Sequence, residues 1–78
     1  MPAVIEFVHD WFAEVESAPG RLRQVAFRRG AMVHAEIRPL DSGKRAAPSA
    51  NLRLADGTTV LDVPLSCISV VGDRARAG

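Results

Sequence analysis

From Val4 onward, apolar side chains fall at Val4, Ile5, Phe7, Val8, Trp11, Phe12 and Val15, with Glu6, His9, Asp10, Glu14 and Glu16 between them. This spacing predicts an amphipathic helix over about residues 3–17, with Val4, Val8, Trp11 and Val15 on one stripe and the acidic residues toward solvent. Pro2 suits its first turn, and Ala18-Pro19-Gly20 ends it. Three of the four aromatic residues, Phe7, Trp11 and Phe12, lie in this segment. Aromatic side chains at helical spacing serve packing or docking, which makes Trp11 and Phe12 the candidate self-association residues.

After Gly20 the period changes to two. Val25 and Phe27 alternate with Gln24, Ala26 and Arg28, Arg29-Gly30 offers a tight turn, and Val33, Ala35 and Ile37 alternate with His34, Glu36 and Arg38. Residues 40–50, LDSGKRAAPSA, have loop composition, with Gly43 and Pro48 as breakers. Beyond them, Asn51 to Leu54 and Thr59 to Leu65 flank Asp56-Gly57, a strong hairpin signal, and Ile68 to Val71 forms a last apolar run.

One helix followed by five short strands predicts a mainly β fold, a small, strongly bent five-stranded barrel that hides its edges. The barrel spans about residues 21–71 and the tail 72–78 is expected to be loose. At 78 residues the chain is expected to form one domain with a modest core, which self-association would supplement.

Composition sharpens this in two ways. With 47% hydrophobic and 24% charged residues the chain belongs among globular proteins. No apolar run approaches the roughly 20 residues of a membrane helix, and the N-terminus does not read as a secretory signal, so the expected location is the cytoplasm. The single Cys67 excludes an internal disulfide and agrees with a reducing compartment.

The net charge of +1 conceals an asymmetry. Residues 1–20 carry Glu6, Asp10, Glu14 and Glu16 and no Lys or Arg; residues 21–45 carry Arg21, Arg23, Arg28, Arg29, Arg38, Lys44 and Arg45 against only Glu36 and Asp41. A basic segment of this kind attracts phosphate unless the acidic segment folds over it and cancels its potential.

An apolar strand pair with Gly30, Val33 and Ile37, then Asp41, then Asn51-Leu52-x-Leu54, resembles the first motif of the Sm-like family, which includes the Hfq-type RNA chaperones. VLDVPLSCISVV resembles its second motif, and together they cover about residues 21–71. The resemblance implies an Sm-like, SH3-like barrel, RNA as partner, and Asn51 as a structural residue at the mouth of a strand. The chain departs from the pattern in three places. Ten positions separate Asp41 from Asn51, which implies an inserted loop bearing Lys44 and Arg45; Ser49 stands where a base-stacking aromatic or His is common; and Pro64-Leu65 replace an Arg-Gly pair. Pro64 removes an N–H from the strand whose edge joins subunits in that family, so a standard ring is not expected.

Enzymatic chemistry has little support in the residues. His9, His34 and Cys67 have no paired zinc spacing, nothing marks Cys67 as an activated thiolate, and the six glycines form no phosphate loop, so no metal and no cofactor are expected. The leading functional expectation is weak, mainly electrostatic RNA binding through Arg28, Arg29, Lys44, Arg45 and Arg53, with Asn51 beside them. The alternative is a protein-interaction or self-assembly module, a homo-oligomer joined through the helix bearing Trp11 and Phe12 or through an open barrel edge.

Overall fold

The segment expected to be a helix is two strands. The computed structural model describes residues 2–40 and 48–73, and it contains β1 (Ala3–Phe7), β2 (Trp11–Ala18), β3 (Arg21–Phe27), β4 (Met32–Pro39), β5 (Ser49–Leu54), β6 (Thr59–Pro64), a single 3-10 turn (Leu65–Cys67) and β7 (Ile68–Asp73). No α-helix occurs among the described residues, and the strands number seven rather than five. Ile5 and Phe7 face inward from β1 and Trp11, Ala13 and Val15 from β2, all at odd positions, so one period of two runs through the turn at residues 8–10. Trp11 follows Phe7 by four residues, a spacing that is two strand periods and also about one helix turn. The β-branched and aromatic residues that fill the segment favour a pleated strand.

All pairings are antiparallel, in one open sheet ordered β3-β2-β6-β5-β4-β1-β7. Its free edges are β3 and β7, so the expected closed barrel does not form. The sheet is nevertheless tightly curled. β3 and β1 stand five strand steps apart, about 24 Å in a flat sheet at ~4.8 Å per step. The rings of Phe7 on β1 and Phe27 on β3 are stacked with centroids 4.6 Å apart. The sheet therefore rolls over until its two halves share a core, and Ile5, Phe7, Ala13, Val15, Ala35, Leu52, Val60 and Val63 fill it.

Backbone hydrogen bonds fasten this roll. The Phe7 N–H donates to the Ala31 carbonyl (2.9 Å), Gly30 N–H donates to the Phe7 carbonyl (2.7 Å), and Val8 N–H donates to the Cys67 carbonyl (2.8 Å). Residues 28–31 thus dock the β3–β4 turn onto the end of β1. Gly30 has φ +91°, a conformation a side chain would strain. β3 and β4 follow one another in sequence yet do not pair, so Arg28 and Arg29 sit in a crossing turn rather than a hairpin.

The hairpin expected at Asp56-Gly57 joins β5 and β6, with Leu54 N–H donating to Thr58 O (2.8 Å) and Gly57 at φ +90°. Pro64 ends β6, an inner strand, opposite Ser49. Its missing N–H therefore lies inside the sheet and blunts neither free edge, β3 or β7. Of the expected loose tail, residues 72 and 73 belong to β7, and 74–78 lie outside the described residues.

Candidate nucleic-acid interface

The β2–β3 ribbon sets two of the acidic residues, Glu14 and Glu16, beside two of the arginines, Arg21 and Arg23, and its register decides how they meet. Glu14 pairs with Gln24, Glu16 with Leu22 and Val15 with Arg23. Glu14 and Glu16 therefore share one face of the ribbon, while Arg23 lies on the other with Val15 and Val25. No carboxylate of β2 stands opposite an arginine of β3, so the acidic strand does not neutralise its neighbour through direct cross-strand pairs.

Arg21, Arg23, Arg28 and Arg29 are all exposed, on the edge strand and the turn that follows it. None of these four side chains has an ion-pair or hydrogen-bond partner among the described residues. The Arg29 backbone N–H does have one, donating to Asp10 Oδ1 (2.7 Å), which fixes the turn and leaves the side chain outside that contact.

The other expected contact residues are not gathered with these. Arg53 is exposed on β5, three strand steps from β3, opposite Glu36 on one side and Thr59 on the other. Glu36 holds Arg38 through Nη2 (2.7 Å) and Nε (2.9 Å). Lys44 and Arg45 lie outside the described residues, as does Asp41. Asn51 is a structural residue whose Oδ1 accepts a 2.9 Å hydrogen bond from the Asp62 N–H. Leu52 pairs with Val60 and Ala50 with Val63, so Leu61 and Asp62 together oppose Asn51 in a β-bulge, and Asp62 takes φ +53°. The Asn side chain supplies the acceptor the ladder loses there.

The two aromatic residues expected to act together are separated by the pleat. Trp11 is half-buried and packs against the core, whereas Phe12, its neighbour, is 72% exposed on the opposite face. Across the ribbon Phe12 faces Ala26, whose methyl leaves the ring uncovered, and Arg28 follows two residues later. On its other side, β2 keeps its pairing with β6 only over Glu14–Glu16; beyond Glu14 a hollow of about 190 Å³ opens, lined by Trp11, Phe12, Ala13, Glu14, Leu61 and Asp62.

The structure offers no grouped chemistry for a metal or a nucleophile among the described residues. His9 lies in the β1–β2 turn, His34 is exposed on β4, and Cys67 is a free, buried thiol. Among the described residues no three His, Cys, Asp or Glu side chains are arranged to hold a metal ion. No helix among them is long and apolar enough to cross a membrane.

The residues that sequence reasoning passed over are Arg21 and Arg23. Their signal is the alternation Arg-x-Arg ahead of Val25 and Phe27, but its value depends on β3 being an edge, a property of long-range topology. No family model, curated protein or solved structure matches the chain. The Sm-like resemblance is thus a matter of the motif residues alone.

Proposed function

We propose that this chain is a non-enzymatic binding module that holds nucleic acid, RNA foremost, by electrostatic contact along its β3 edge. The observation that carries this reading is the set of four exposed arginines within nine residues, Arg21, Arg23, Arg28 and Arg29, none with a side-chain partner among the described residues. Such a row attracts consecutive phosphates and confers no sequence readout of its own. Its location on an edge strand and the turn after it leaves the unpaired side of that strand accessible to a passing backbone. A reducing, cytoplasmic setting fits the lone buried thiol of Cys67.

The test is fluorescence anisotropy with short U-rich and A-rich RNA and with duplex DNA. Engagement of four phosphates on a single strand gives a slope near −2.8 in log K against log salt, about a 50-fold loss between 50 and 200 mM. Replacing the four arginines by Ala should remove both the binding and the slope. Affinity that is unchanged by salt, or retained in the Ala variant, refutes the proposal.

A second reading has its own observation. At the opposite edge, β7 exposes Val70 (56%) and Val71 (47%), and from Ile68 to Gly72 it carries no charge. An uncharged apolar edge favours strand addition between copies, a homo-oligomer formed without the helix expected from the sequence. Val70→Lys should then lower the mass measured by light scattering; an unchanged mass excludes β7 as the joint.

A further inference from the structure

We infer that Phe12 is a stacking platform for an unpaired base, so that the module selects single-stranded over double-stranded nucleic acid. This rests on the nucleic-acid reading above and adds to it the class of strand bound. The ring is the most exposed large apolar side chain among the described residues, at 72%, on the outer face of β2. Scattered surface apolar residues need no explanation in general. Phe12 differs through its surroundings. Its cross-strand neighbour is the small Ala26, the arginine turn 28–29 begins two residues beyond that neighbour, and the hollow beside Leu61 and Asp62 adjoins its other side.

The order of features across the sheet matches the order of parts across a nucleotide. The turn that follows the outermost strand, β3, brings the cations that phosphate requires, Arg28 and Arg29, and one strand inward from β3, ~4.8 Å away, lies the ring. A backbone following the edge can therefore turn a base inward over Phe12. Glu14, exposed on the same face of β2 two residues along, repels phosphate and directs the backbone toward Arg28 and Arg29 instead. A duplex keeps its bases stacked on one another and offers only phosphates to this edge, so it forgoes the ring contact.

Stacking on an aromatic is worth about 1–3 kcal/mol per base, roughly 5- to 150-fold in affinity. Because the Phe12 side chain projects into solvent, Phe12→Ala is expected to retain the fold, which circular dichroism checks. Anisotropy is read with three probes: a single-stranded oligouridine, the same length of abasic backbone, and duplex DNA. The expected result is a loss of about 5-fold or more for oligouridine in Phe12→Ala, unchanged binding of the abasic and duplex probes, and recovery in Phe12→Trp. Equal oligouridine binding by wild type and Phe12→Ala overturns the inference while leaving the arginine edge standing. Absence of binding to any probe at low salt overturns both. A change of mass in Phe12→Ala without a change in affinity overturns it in favour of a protein contact.

Discussion

The curl of the sheet rests on one aromatic pair whose contribution can be isolated. Phe7 is fully buried, and its ring lies 4.6 Å from that of Phe27 at an interplanar angle of 10°. Phe7→Leu and Phe27→Leu each preserve an apolar side chain of similar volume and should each cost about 1–2 kcal/mol. A domain of this length has about 4–12 kcal/mol of stability in total, so the single variants stay folded. Stacked aromatic pairs contribute about 0.5–1.5 kcal/mol beyond the area they bury, and that part is lost only once when both rings are replaced. Urea denaturation of the wild type, the two singles and the double variant closes a double-mutant cycle. The expected coupling is about 0.5–1.5 kcal/mol, with the double variant more stable than the sum of the singles implies. In a flat sheet these residues would stand ~24 Å apart and their effects would add. A coupling below about 0.3 kcal/mol refutes the rolled arrangement, and with it the position assigned to the β3 edge.

Other outcomes follow from single contacts. Asn51→Ala leaves the bulge N–H of Asp62 without its acceptor and should lower stability by about 1–2 kcal/mol in urea titrations, whereas Asn51→Asp, which retains an acceptor oxygen, should cost clearly less. Ser49 is 6% exposed and its Oγ has no hydrogen-bond partner, so Ser49→Ala should raise the denaturation midpoint, by about 1 kcal/mol in stability; a drop would show that the hydroxyl is satisfied. The Asp56 carboxyl accepts a hydrogen bond from the Thr58 N–H (2.9 Å), which holds its pKa below the ordinary 3.8. Because the folded pKa is the lower one, its stabilisation is present above about pH 4 and disappears as pH falls through the folded value. The midpoint difference between wild type and Asp56→Asn should accordingly shrink on acidification below about pH 4, and a difference that grows would contradict the assignment.

The later half of the chain is largely legible in the sequence because its signals are local. Asp56-Gly57 demands a tight turn, Gly57 takes the positive φ expected of it, and Leu52 is buried on β5, although the bulge at Leu61 and Asp62 breaks the alternation of β6, so that Val60 and Val63, three apart, are the residues it buries. The first 18 residues mislead because the inward residues Ile5, Phe7, Trp11, Ala13 and Val15 are interleaved with further apolar residues at Val4, Val8 and Phe12, which together complete a helix-like spacing. Residue types there argue for strands, and the apolar spacing fits a helix as well as a strand. The contact residues divide in the same way. Arg28 and Arg29 are recognisable as an exposed turn, but Arg21, Arg23 and the outward aim of Phe12 follow from pairings between strands, which no local window contains.

Register settles the question that net charge leaves open. Two acidic residues of the first segment, Glu14 and Glu16, do lie one strand away from the basic β3, as folding back would require. They nevertheless alternate out of phase with the arginine of β3 across the ribbon: Glu14 and Glu16 oppose Gln24 and Leu22, and Arg23 opposes Val15. A slip of one residue in β3 would set Glu14 against Arg23 and turn Val25 and Phe27 out of the core-facing side while Val15 stays in place, exchanging buried apolar contacts for an exposed ion pair worth little. Core packing therefore fixes the register, and the fixed register keeps the two charges on opposite faces. The free arginine edge is in this sense a consequence of where Val15 and Val25 must go.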